Sequence, residues 1–208
     1  NITREAQDQF AIESQTKAIA AVDAGKFKDE IIPIVVKSRK EEVIVDTDEY
    51  PNRKTSLEKL ATLRPAFKKD GSVTAGSSSG INDGASFVMV ASEDFVKENN
   101  LTAMVEIVGI GQGGVDPQTM GLGPVPAIRQ ALKHSGLRLS DIDLFELNEA
   151  FAAQAIAVIR ELNLDINKVN VNGGAISIGH PVGATGTILI LKLIHEMKRR
   201  NVKNGLVT

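Results

Sequence analysis

From Phe87 to the end of the chain, short β-branched and apolar runs alternate with longer stretches of helical periodicity. Strand-forming runs fall at 87–91, 104–109, 142–146, 169–171 and 205–208. Helical stretches at about 93–99, 124–134, 149–162 and 184–200 lie between them. Strands alternating with helices of this length imply parallel βαβ units, with a sheet covered by helices. The rhythm therefore assigns the chain to the α/β class.

The first 80 residues do not share that rhythm. Ala6, Phe10, Ser14, Ala18 and Ala21 recur three or four apart, with Thr3 placed to cap and Gly25 to stop an amphipathic helix over 4–24. Runs at 31–36 and 43–46 read as a hairpin across the polar turn Lys37–Glu42, and Leu57–Leu63 as a short helix ending before Pro65. A boundary belongs near 75–80.

Composition excludes several functions. The chain of 208 residues has no cysteine, so it holds no disulfide, no thiolate metal site and no cysteine nucleophile of its own. Its net charge of −2 argues against a general nucleic-acid binder. No run of 18 apolar residues marks a transmembrane helix. The opening Asn1–Glu5 resembles neither a signal peptide nor a translation start, and the last strand is cut at Thr208. Both ends are expected to lie inside a longer polypeptide.

Five segments carry chemical potential. Between Asn52 and Lys69 six basic residues, among them Arg53 and Lys54, stand against Glu58 alone, a charge of +5 that can steer a phosphorylated ligand or simply face solvent. Gly109–Gly114 matches G-x-G-x-x-G after an expected strand, but Val115–Gly123, with Pro117, delays the helix that a dinucleotide site needs at once. Asn148-Glu149-Ala150-Phe151 follows a strand, where open α/β sheets bind ligands; Asn148 also suits a helix N-cap. Thr74–Ala85 is rich in glycine and small hydroxyl residues, fitted to an extended ligand or to a linker.

The fifth segment is the most informative. Gly173–Gly186 holds five glycines between a strand and a long helix, so the backbone can approach a ligand closely. Pro181 biases His180 away from helical geometry and can aim its ring across the loop. His134 and His195 fall within expected helices, which leaves His180 as the candidate catalytic base or hydrogen-bond donor.

Together these segments resemble the thiolases, and acetyl-CoA C-acetyltransferases in particular. The matching residues are Arg4-Glu5 with Asp8 and Phe10, Gly25–Glu30, Leu63–Phe67, Thr74–Ala85, Asp116-Pro117 with Met120-Gly121, Asn148–Gln154 and Gly173–Gly186. The resemblance covers essentially the whole chain and corresponds to the second half of a thiolase. It implies part of a layered α-β-α-β-α fold, a mixed sheet covered by helices, with an irregular α+β loop domain. Residues 1–80 would be loop domain, 81–102 the last strand and helix of the N-terminal domain, and 103–208 the C-terminal domain without its final strand.

The resemblance also implies acyl transfer through a cysteine acyl-enzyme. Two acetyl-CoA molecules would be condensed, or a 3-ketoacyl-CoA cleaved, with no cofactor and no metal. His180 would activate the cysteine and stabilise the thioester oxyanion, and Asn148 would hold the water completing the oxyanion hole. Ser79, Ala75, Phe67 and Phe151 match positions along the pantetheine path, and Met120 matches one near the acetyl pocket. Both family cysteines lie outside these residues, the second just beyond Thr208, so the isolated chain is expected to be inactive. Asn52 stands where the family often has a nucleotide-binding arginine, which shifts that role to Arg53 or to Lys54; Ser77-Ser78 replaces the usual Asn-Ala. Expected partners are acetyl-CoA or CoA, the missing N-terminal half, and further copies in a homodimer or homotetramer, with no nucleic acid or membrane, in the cytoplasm. The competing reading is a non-catalytic acyl-CoA-binding protein on the same fold; a passive binder needs neither Asn148 nor His180.

Overall fold

The computed structural model describes residues 2–37, 39 and 41–208, so Asn1 and, from the expected turn, Ser38 and Lys40 lie outside the described residues. Helix α1 spans Arg4–Asp23. Thr3 caps it, its hydroxyl accepting from the Ala6 amide at 3.2 Å, and Gly25, at φ +67°, lies just beyond its end. Its inward face is small and polar: Gln7, Asp8, Ala11, Ser14, Gln15, Ala18 and Ala21 are buried. That face packs on α5 (Ala152–Leu162), on the short α6 (Ala175–Ile178) and on α2 (Leu57–Ala61).

The expected hairpin forms from β1 (Ile34–Lys37) and β2 (Glu42–Val45), antiparallel with Ile34 opposite Val45. All eight of its residues are exposed.

The C-terminal region is built on a small parallel sheet. β3 (Leu144–Glu146) pairs with β4 (Gly205–Val207), Phe145 opposite Leu206, and a single parallel bridge joins Phe145 to Val169. Alternation along β3 sends Phe145 and Leu147 to one face and Leu144 and Glu146 to the other. The first face meets α4 (Pro124–Ser135) and α5 in a core of Val125, Ile128, Ile142, Phe145, Leu147, Ala155, Val158, Val169 and Leu206. The second meets α7 (Thr185–Arg200).

Several expectations are corrected. The strands expected at 87–91 and 104–109 form no ladder; Phe87, Met89, Val90, Met104, Ile107 and Val108 are exposed. A strand exists only against a neighbouring strand, and among the described residues none pairs with either segment. The helix between them, α3 (Glu93–Glu98), does form, capped by Ser92. The strand at 169–171 shrinks to one bridge because Asn170 turns to φ +44°. The described residues hold two two-stranded sheets, one antiparallel and one parallel. The glycines of 109–113 serve packing: a Cβ on Gly111 would stand 2.0 Å from the Ala127 carbonyl oxygen, so this extended segment lies directly on α4.

Candidate active site

The helix expected from residue 149 begins only at Ala152, and its N-cap is Phe151 in extended geometry. Asn148 is therefore not a helix cap. What keeps 148–151 extended is a set of distant partners. Ser78 pairs with Phe151, and both the amide and the hydroxyl of Ser79 donate to the Ala150 carbonyl at 3.1 Å. The Asn148 amide donates to the Thr208 carbonyl at 2.8 Å, which ties the residue to the end of β4.

Glu149 anchors this turn from beneath. It is 1% exposed, and its carboxylate accepts from Ser14 Oγ at 2.7 Å, Asn170 Nδ2 at 2.8 Å and the Ile176 amide at 3.2 Å. Three segments, α1, the bend at Asn170 and α6, thus meet on one side chain. Asn170 also clips Leu147, accepting from its amide and donating to its carbonyl, both at 2.8 Å. Gly174 must be glycine here, since a Cβ would lie 2.2 Å from Glu149 Cδ.

From Gly174 the loop makes the single turn of α6 and leaves through Gly179 at φ +94°, in the left-handed region that favours glycine. Asn82 secures the exit: its Oδ1 accepts from the His180 amide at 3.1 Å, and Ile81 bridges His180 in parallel. His180 then turns its ring toward Asn148, with Nε2 3.4 Å from Asn148 Nδ2. On the opposite side of the ring, Nδ1 lies 2.7 Å from Thr185 Oγ1. Asn148 Oδ1 is buried and has no hydrogen-bond partner among the described residues. A histidine and an asparagine side by side form a small polar site in which the ring can exchange a proton and the uncommitted amide oxygen can accept from a water, itself a donor to a developing negative charge.

Under the site lies a charged layer. Lys192, 3% exposed, donates to Glu146 at 2.9 Å and to the Gly173 carbonyl at 2.6 Å, so it joins β3 to the start of the glycine loop. Burial pushes the Glu146 carboxyl above the ordinary range, against the pull of the Lys192 charge. Glu196 behaves oppositely: burial favours a higher value, but hydrogen bonds from Asn172, Arg199 and Arg200 outweigh it and hold the carboxyl at about 2.

Of the residues expected along a ligand path, Phe67 and Phe151 meet edge to face with centroids 5.8 Å apart. Phe67 is exposed, as are Ala75, on the 3₁₀ turn Ala75–Ser77, and Met120, on the turn Pro117–Leu122. Ser79 sits beside Phe151 through its bonds to Ala150. Arg53 is placed elsewhere: its guanidinium forms a two-point pair with Asp23 at the end of α1. The residues missed from sequence are Glu149, Asn170, Asn82, Thr185 and Lys192. Glu149 and Asn82 lay inside segments already singled out, whereas Lys192 sat unmarked in an amphipathic helix.

The family profile described as thiolase, N-terminal domain, matches residues 1–94, and that of thiolase, C-terminal domain, matches residues 101–208. The chain belongs to the thiolase family. Acetyl-CoA acetyltransferase from Syntrophomonas wolfei is 54% identical over 100% of this chain and 52% of its own length. The human mitochondrial 3-ketoacyl-CoA thiolase is 53% identical over 97% of this chain and 51% of its own. The crystal structure of the Bacillus anthracis acetyl-CoA acetyltransferase superposes with a TM-score of 0.94 at 49% identity, covering 99% of this chain and 52% of that one. That of the human mitochondrial 3-ketoacyl-CoA thiolase in complex with CoA superposes at 0.87 and 48% identity, covering 98% and 50%. The thiolase α/β fold is thus present in part. The chain spans about half the length of the relatives it matches, and it carries no cysteine.

Proposed function

We propose that these residues are the His–Asn half of a thiolase active site, whose nucleophilic cysteine is supplied by polypeptide outside them. The observation that carries the reading is the approach of His180 Nε2 to Asn148 Nδ2 at 3.4 Å, beside an uncommitted Asn148 Oδ1. In the reaction, His180 Nε2 takes the thiol proton as the cysteine sulfur bonds to the thioester carbonyl carbon. The carbonyl π pair moves to oxygen, where the new Nε2–H and a water held by Asn148 stabilise it. Collapse of that oxyanion breaks the carbon–sulfur bond to CoA, whose sulfur takes the proton from His180 Nε2, and leaves the acyl-enzyme with CoA-SH released.

A second cysteine just past Thr208 fits this reading, because the Thr208 carbonyl is bonded to the Asn148 amide and a following residue would start beside Asn148. The CoA path runs past Phe67, Phe151, Ala75 and Ser79 toward Met120. Arg53 reaches the nucleotide only by exchanging Asp23 for phosphate. Condensation of two acetyl-CoA or thiolysis of a 3-ketoacyl-CoA, in a cytoplasmic homodimer or homotetramer, completes the proposal; the similarity to two acetyl-CoA acetyltransferases and to the 3-ketoacyl-CoA thiolase solved with CoA supports the substrate class.

The test uses this chain alone and the same chain completed with the cysteine-bearing segments of the Syntrophomonas wolfei relative. The chain alone should cleave acetoacetyl-CoA no faster than a no-enzyme control, and the completed one should be active. In the latter His180→Ala should lower kcat by about 10²–10⁴-fold with little change in KM. Near-normal kcat in that variant, or turnover by the chain alone, overturns the proposal.

A further inference from the structure

We infer that Thr185 is a positioning residue that selects the Nδ1–H tautomer of His180 and so leaves the lone pair on Nε2, the nitrogen that faces Asn148. Thr185 opens α7, is 7% exposed, and places Oγ1 between two atoms. One is the Pro181 carbonyl oxygen at 2.9 Å; the other is His180 Nδ1 at 2.7 Å. A hydroxyl has one proton to give. The Pro181 carbonyl, which also accepts from the Ala184 and Thr185 amides at 2.8 Å, can only accept, and two oxygens at 2.9 Å repel unless a proton lies between them, so the hydroxyl donates to Pro181. Toward His180 it is then an acceptor, and Nδ1 carries the hydrogen.

The far side of the ring agrees. Asn148 Nδ2 is a donor only, and it lies 3.4 Å from Nε2. An Nε2–H tautomer would set N–H against NH₂ there and oxygen lone pairs against each other at Pro181. The Nδ1–H tautomer satisfies both contacts together. The rival arrangement turns the Asn148 amide over, donates from Thr185 to Nδ1, and moves the proton to Nε2. It leaves Asn148 Nδ2 in the pocket where Oδ1 now stands, buried without a partner, and sets the Thr185 and Pro181 oxygens in contact without a shared proton. The bond of Thr185 to the Pro181 carbonyl, four residues back, selects the rotamer that keeps the hydroxyl beside the ring.

The kinetic part of this inference rests on His180 acting as a base; the tautomer itself does not. The measurement is long-range ¹H–¹⁵N correlation on the 208-residue chain labelled at its three histidines, at a pH where the ring is neutral. The expected result is a protonated-type Nδ1 and an unprotonated-type Nε2 for His180. Thr185→Val should shift the population toward Nε2–H, and Thr185→Ser should keep the original form. In the completed enzyme Thr185→Val should lower kcat by about 10–100-fold with KM unchanged, and Thr185→Ser should restore most of it. An Nε2–H ring in the unsubstituted chain overturns the inference whatever the variants do. If the Nδ1–H ring is found but His180→Ala keeps its kcat, the proposed function fails and the tautomer assignment stands.

Discussion

Replacing Glu149 by glutamine keeps the side chain's shape and removes its charge at the point where α1, the Asn170 bend and α6 converge. The present carboxylate receives three donors, Ser14 Oγ, the Ile176 amide and Asn170 Nδ2, the first two on one oxygen and the third on the other. An amide has one acceptor end. With its oxygen toward Ser14 and Ile176, its NH₂ opposes Asn170 Nδ2, and Asn170 cannot turn over without losing both bonds to Leu147. With the ends exchanged, the Ile176 amide faces another donor. Either way at least one buried donor is stranded, at about 1–3 kcal/mol. Relief from burying a charge offsets part of that, so the net loss expected for E149Q is about 1–2 kcal/mol. In a domain of this size that lowers Tm by about 2–8 °C. Urea unfolding followed by circular dichroism should show a lower midpoint with unchanged slope. Amide exchange at Ile176 should accelerate beyond the global change. A variant as stable as the parent, with Ile176 equally protected, would refute the claim that this carboxylate clamps the loop.

The buried pair beneath the site behaves differently. Lys192→Met leaves Glu146 buried without its cation and the Gly173 carbonyl without its donor, and should cost about 3–5 kcal/mol, whereas the double variant E146L/K192M should lose far less than the sum of the single changes; additive losses in a double-mutant cycle would exclude a coupled pair. Glu196, held at about 2 against an ordinary 4.5, binds fewer protons folded than unfolded across that window. Its contribution, on the order of 2–3 kcal/mol after screening of the partly exposed Arg199 and Arg200, should be complete above about pH 4.5 and disappear as pH falls toward 2. Glu196→Gln should flatten the acid limb of the stability curve, and an unchanged limb would contradict the assignment.

What could be read from sequence divides along the range of the interactions. Helix α1 was legible because its determinants are local: a three-to-four spacing, Thr3 before it and Gly25 after it. So were α3, α4 and α7, within a residue or two at each end. The runs at 87–91 and 104–109 carry strand composition, but composition reports only the capacity to form a ladder. The ladder needs a second backbone at the right edge, and here Phe87, Met89, Ile107 and Val108 stand exposed instead. The start of α5 failed for a related reason. Residues 149–151 are helix-compatible by propensity, yet bonds from Ser78 and Ser79, distant in sequence, hold them extended.

The same division explains the site. His180 and Asn148 were visible because glycine, proline and a strand end mark places where side chains face a crevice. The residues that aim them were not, because each acts through a partner far along the chain: Ser14 on Glu149, Asn82 on His180, Lys192 on Gly173. No periodicity encodes such pairs. Arg53 illustrates the converse. Its basic cluster, counted by sequence window, contains one acid, but in three dimensions the guanidinium is closed on Asp23 from outside the window. A phosphate must therefore compete with a carboxylate already bound in two-point geometry. Solvent weakens an exposed pair of this kind, so the competition lowers the arginine's contribution to nucleotide binding without abolishing it. Local charge counts thus overstate what an arginine offers a ligand wherever the fold supplies a carboxylate of its own.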